Sequence, residues 1–149
     1  MTFIEPATLA RGTIGVAAEF AHRHAPARSA ASEPRRGASR SGLAPWKLAR
    51  VGRHIEARLA SRLTNSHLAS LVRLSEDHFA RAFKVSFGCS PHAYVVARRI
   101  ECAKSLMLGS NLPLSQIAVA AGFSDQSHLS RCFRDKVGVA PALWRRHVS

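Results

Sequence analysis

The sequence predicts an all-α fold built on a two-helix unit that occurs twice. Three observations carry this expectation. Apolar residues recur at three- and four-residue spacing from Leu48 onward, and no useful length alternates with the period of two that strands need. Residues 75–91 (SEDHFARAFKVSFGCSP) return fifty residues later as 125–141 (DQSHLSRCFRDKVGVAP), with identities at His78/His128, Arg81/Arg131, Phe83/Phe133, Gly88/Gly138 and Pro91/Pro141. Each copy also follows a short apolar segment and a tight turn: Leu68-Ala69 stand before Leu74-Ser75 as Ile117-Ala118 stand before Phe123-Ser124.

In chain order, residues 7–21 (Ile14, Val16, Phe20) suggest a weak helix that Gly12 and Gly15 oppose. Residues 22–44, HRHAPARSAASEPRRGASRSGLA, lack large apolar side chains and cannot offset their ordering entropy, so residues 1–44 read as a largely disordered basic segment. The domain is expected over 45–149. Leu48, Val51, Ile55, Leu59 and Leu63 form one apolar stripe about five helical turns long, with Trp46 expected in the core. A short helix over 66–72 follows. Ser75 then caps a helix running from Glu76 to Phe87, with Phe79, Ala82 and Phe83 inward and Gly88 as its stop. Ser90-Pro91 is a capping hydroxyl followed by proline at the first helical position, and opens a long helix to Leu108 with Val96, Ile100, Ala103 and Met107 on one face. The remaining helices are expected over 115–121, over 125–137 and from Pro141 onward, with Gly122 in the turn between the first two of them. Helix, short turn, helix is the helix-turn-helix arrangement. It is therefore placed at about 64–88 and about 114–138, joined by a linker helix at about 91–108.

The formal net charge of +13, from 22 Lys and Arg against 9 Asp and Glu, points to a polyanionic partner: nucleic acid first, an anionic membrane surface second. A solubilising charge excess is the bland alternative. No apolar run is long enough to cross a bilayer, and MTFIEPATLARG lacks the basic start, apolar centre and cleavage site of a signal peptide. Cys89, Cys102 and Cys132 are an odd set without metal-type spacing, which fits reduced thiols and a cytoplasmic protein, with Cys89 the one thiol to test for reactivity. The eight histidines show no ligand spacing supported by cysteine or carboxylate neighbours, so neither metal nor cofactor is expected. No phosphate loop, carboxylate pair or nucleophile–base set stands in a working context, and no enzymatic activity is expected.

The repeated helix suits the reading of double-stranded DNA. In the helix over 125–137, Leu129, Cys132, Phe133 and Val137 make the apolar stripe, and the opposite side offers Gln126, Ser127, Ser130, Arg131 and Arg134. The outward set in the first copy is Asp77, His78, Arg81 and Lys84. Arginine pairs with guanine through two hydrogen bonds, glutamine does so with adenine, and serine bonds either a base or a phosphate. A linker helix of about 18 residues spans about 27 Å, which suits two readers about one DNA turn, roughly 34 Å, apart.

From Trp46 to His147 the chain resembles the DNA-binding domain of AraC/XylS-type transcription regulators. The resemblance rests on LPLSQIAVAAGFSDQSHLSRCFRDKVGVAP in the second half and LSEDHFARAFKVSFGCSPHAYVVARRIECAKSLM in the first. It implies a sequence-specific regulator with recognition helices in adjacent major grooves. By position, Asp77, Arg81, Gln126, Ser127 and Arg131 would read bases. Arg73, His78, Lys84, Ser90, His128, Ser130, Arg134, Arg145 and Arg146 would make backbone or flanking contacts. Trp144, beside Arg145 and Arg146, is expected to pack the second unit.

Two departures make the copies unequal. Arg73 stands where the second unit has Gly122, so the first turn lacks the residue that most easily takes positive φ. Asp77 is awkward near phosphate. It either holds Arg81 four residues on, accepts from a cytosine amine, or does neither. The second copy is therefore expected to supply more of the specificity. One chain with two readers is expected to act as a monomer on DNA in a bacterial cytoplasm, associated with the nucleoid when bound, with RNA polymerase a further partner if it activates. The alternatives are a nucleoid-type coating protein without sequence preference, an interaction module, and a truncated regulator lacking its sensor domain, since only about 44 residues precede the domain.

Overall fold

Several helices of this protein are bounded by residues that end helices locally. The computed structural model describes residues 41–148, and the expectations placed on residues 1–40 lie outside them. Among the described residues there are seven helices and no strand: α1 Pro45–Ala57, α2 Asn65–Leu71, α3 Glu76–Phe87, α4 Pro91–Gly109, α5 Leu114–Ala120, α6 Gln126–Val137 and α7 Pro141–Val148. The Ser75 hydroxyl accepts from the His78 N–H at the start of α3, and the Ser90 hydroxyl accepts from the Ala93 N–H at the start of α4. Gly88 and Gly138 end α3 and α6 in the left-handed region, their N–H groups donating to the Lys84 and Arg134 carbonyls.

The apolar faces converge on two cores. The first holds Val51 and Ile55 of α1, Leu68 and Ala69 of α2, Phe79, Phe83 and Phe87 of α3, and Tyr94 and Val95 of α4. Its centre is aromatic. Phe83 stacks on Phe87 with ring centroids 4.1 Å apart, and Tyr94 meets Phe87 edge-on at 4.8 Å. The second core holds Val96, Ile100, Ala103 and Met107 of α4 with Ile117 and Ala118 of α5 and Leu129 and Phe133 of α6. Trp144 of α7 packs on it, edge-on to Phe133 at 5.8 Å. Helix α4 thus serves both cores, the change of allegiance falling between Val95 and Val96.

Three sequence expectations are corrected. The stripe from Leu48 to Leu63 is not one helix, because α1 stops at Ala57 and Arg58 leaves the helical region at φ −132°. Leu59 and Leu63 still pack on the first core, from irregular backbone, so their spacing carried the burial but not the conformation. Trp46 is 59% exposed rather than core. It lies out of phase with Val51 and Ile55, and the Lys47 ammonium sits 5.5 Å from its ring centre. Leu43, read as part of the preceding segment, is buried in the first core, and its N–H donates to the Ser86 hydroxyl at 2.7 Å.

Candidate nucleic-acid interface

The two helix pairs, α2–α3 and α5–α6, are built by the same bonds. In the first turn the Leu74 N–H donates to the Ala69 carbonyl, and in the second the Phe123 N–H donates to the Ala118 carbonyl. Arg73 takes φ 54° and Gly122 φ 95° at equivalent places. The first turn therefore adopts the left-handed conformation without a glycine. The second turn is one residue longer: Ser75 caps α3 directly, whereas both Ser124 and Asp125 precede α6.

The start of α6 is held by a small polar network. Asp125 accepts from the His128 N–H at 2.8 Å, the Ser124 hydroxyl donates to the other carboxylate oxygen at 3.0 Å, and His128 Nδ1 lies 3.1 Å from that hydroxyl. The His128 backbone N–H, helped by the Ser124 hydroxyl, holds the Asp125 carboxyl below the usual carboxylate range. The His128 ring, half-buried, meets Phe123 edge-on at 5.3 Å. His128 thus braces the turn, and Ser130 is half-buried.

The residues assigned to base reading all lie at the surface. Asp77 and Arg81 on α3 and Gln126, Ser127 and Arg131 on α6 are exposed, as are Arg73, His78, Lys84, Arg134 and Arg146. No ion pair joins Asp77 to Arg81, so the tether that their spacing allowed does not form among the described residues. The repeat at fifty-residue spacing also sets Glu76 opposite Gln126, a position the sequence reading passed over. Glu76 is exposed and borders a shallow groove of about 250 Å³ with Asn65, His92 and Arg99.

Other arginines are committed to the scaffold. Arg98 binds Glu56 of α1 through two bonds, Nε to Oε1 at 2.5 Å and Nη2 to Oε2 at 3.1 Å. Arg99 donates to the Leu59 carbonyl at 2.9 Å and to the Ser61 carbonyl at 2.8 Å. Arg145 donates to the Leu112 carbonyl at 2.7 Å and to that of Ser110, tying α7 to the chain just beyond α4. Ser90, grouped with the flanking contacts, spends its hydroxyl as a cap. Arg98 and Arg99 were missed because their partners lie about forty residues away, where no local pattern reaches.

Burial pushes the thiols of Cys89, Cys102 and Cys132 up from their ordinary value, the opposite of the shift that activates a thiolate. No group of three or more His, Cys, Asp or Glu that could hold a metal ion occurs among the described residues. Nor is any described helix long and apolar enough to cross a membrane.

Comparison with known proteins agrees with this geometry. The family described as "Helix-turn-helix domain" matches residues 68–147, more than half of the chain. The chain is similar to the probable transcriptional regulator LumQ of Photobacterium leiognathi, with 35% identity over 95 residues covering 64% of this chain and 38% of the relative. It is also similar to the transcriptional activator NphR of Rhodococcus sp, with 33% identity over 100 residues covering 66% and 30%. The chain thus spans about a third of the length of the curated relatives it matches.

Among solved structures, an AraC-type transcriptional regulator from Chromobacterium violaceum superposes with TM-score 0.63 at 28% identity, covering 67% of this chain and 89% of that one. The DNA-binding domain of the global transcriptional factor AdpA, solved in complex with a target DNA, superposes with TM-score 0.64 at 25% identity, covering 68% and 90%. With two helix-turn-helix units on one shared helix, the chain belongs to the AraC-type family of helix-turn-helix DNA-binding domains.

Proposed function

We propose that this protein is a sequence-specific regulator of transcription that binds double-stranded DNA with α3 and α6 in adjacent major grooves. One observation carries the reading. Arg81 and Arg131 occupy the same place on the two repeated helices, exposed and without an internal partner among the described residues, while Arg98, Arg99 and Arg145 are spent on carbonyls and a carboxylate. Exposed arginine on a helix that can enter the major groove is the commonest means of reading guanine. Arg131, with Gln126 and Ser127 on the same exposed helix, forms the main reading set, and Arg81 with Asp77 the lesser one. Lys84, Arg134 and Arg146 grip phosphates, and Arg73 sits in a turn where it reaches the backbone. One chain would then span two dissimilar boxes as a monomer.

Selection from a random oligonucleotide pool should return two short boxes about one helical turn apart. Arg131→Ala should cost about 1–3 kcal/mol on that site and relax preference at one base pair. The charge of +13 also favours a coating protein without preference. A regulator should prefer its site over random DNA by at least about a thousandfold at physiological salt, and a coating protein should show a ratio near one. Equal loss of cognate and random binding in Arg131→Ala would mean that this side chain reads no base.

A further inference from the structure

Three elements meet at one point between the two units. The irregular segment after α1 presents the Leu59 and Ser61 carbonyls, and Arg99 of α4 takes both, at 2.9 and 2.8 Å. The turn of the second unit arrives from the other side. A Cβ added to Gly122 would lie 2.1 Å from the Leu59 oxygen and 2.7 Å from Arg99 Nε. A side chain of any size is therefore excluded by backbone of the other unit, in addition to the positive φ at this residue. The equivalent place in the first turn tolerates an arginine, so the motif itself does not demand glycine there. Burial lowers the pKa of the Arg99 guanidinium, as expected where protein replaces water around it. The Glu56–Arg98 pair ties α1 to α4 at the adjacent residue.

We infer that Arg99 and Gly122 are positioning residues: with the Leu59 and Ser61 carbonyls they form a locked joint that fixes how the two recognition helices stand relative to each other. The glycine lets the second unit close on the first, and the guanidinium holds the irregular segment where that closure needs it. Neither residue is placed against DNA. The consequence for DNA, which rests on the function proposed above, is that the joint sets the spacing of the two boxes. Two linked binding modules gain from each other only when their geometry lets both engage at once.

The joint is tested first without DNA. Cys89, Cys102 and Cys132 are replaced by alanine in the full chain, and nitroxide labels are placed at Val85→Cys on α3 and Asp135→Cys on α6, both exposed sites. Pulsed electron spin resonance then reads the distance between them. The parent should give one narrow distance. Arg99→Lys keeps the charge but lacks the planar fork that reaches the two carbonyls from Nε and Nη2, and it should shift or broaden that distance, as should Gly122→Ala. Gly138→Ala is the control, because it has the same kind of backbone strain at φ 87° with nothing near its Cβ, and it should leave the distance unchanged. An unchanged distribution in Arg99→Lys overturns the joint even if Gly122→Ala does not fold, and equal broadening in Gly138→Ala also overturns it.

The second measurement uses DNA selected by the parent, with one base pair inserted between the boxes. Binding by the parent should fall at least about tenfold, and binding by Arg99→Lys by less than about threefold. Equal losses would sink the claim that the joint sets spacing. If the parent selects no bipartite site, the proposed function fails while the distance measurement still decides the joint.

Discussion

Arg73 and Gly122 occupy the same position in two turns and take the same left-handed backbone, at φ 54° and 95°. A left-handed L-residue costs about 1–2 kcal/mol, and glycine recovers this less about 0.5–1 kcal/mol of extra chain entropy. Arg73→Gly should therefore stabilise the fold by up to about 1.5 kcal/mol, read as a higher urea midpoint with unchanged slope. A lower midpoint would show that the arginine side chain contributes more than its backbone costs.

Arg134 and Arg131 lie three residues apart on α6 but should fail differently. Arg134→Ala should weaken binding to cognate and random DNA alike and lower the salt slope by about 1, as loss of one phosphate contact does. The selected sequence should not change. A relaxed base preference in this variant would move Arg134 into the reading set.

His54 and His67 face each other across α1 and α2 with their Nε2 atoms 3.1 Å apart. Burial first, then the charges of His67, Arg58 and Arg50, hold His54 below its ordinary value of 6.5. The unfolded chain then binds the proton more readily than the folded one. Stability is full above pH 6.5 and is lost as pH falls through the lowered folded-state pKa. The urea midpoint should drop as the pH falls below 6.5, and His54→Gln should flatten part of that drop. An identical pH profile in the variant would remove His54 as its cause.

Glu56 and Arg98 form a half-buried pair whose side chains are 20% and 15% exposed. Arg98→Met alone leaves a carboxylate in a partly dry place and should cost about 1–2 kcal/mol after allowance for solvent screening. Adding Glu56→Gln should recover part of that loss, which a double-mutant cycle in urea would measure. Additive losses would mean that the two side chains are not coupled.

What the sequence made legible was local. Ser75, Ser90, Gly88 and Gly138 mark helix ends through bonds made within four residues, so those ends and the all-α class could be read directly. The stripe of α4 was equally plain because its burial recurs with the helix period. Leu59 and Leu63 misled because burial constrains which side a residue faces but not the backbone that puts it there. Trp46 misled because its size suggested core, while its phase on α1 turns it away from Val51 and Ile55. The bonds of Arg98 and Arg99 to a segment about forty residues back depend on how one unit lies on the other, and nothing near them in the chain records that.

The handover between Val95 and Val96 makes the chain duplicated in pattern but indivisible in substance. Cutting it within α4 would strip the lining from one half or the other and leave Tyr94 or Ile100 facing water. Neither repeat carries a complete interior of its own. The protein should therefore melt as a single cooperative body, and a lesion in α4 should loosen both ends of the molecule at once.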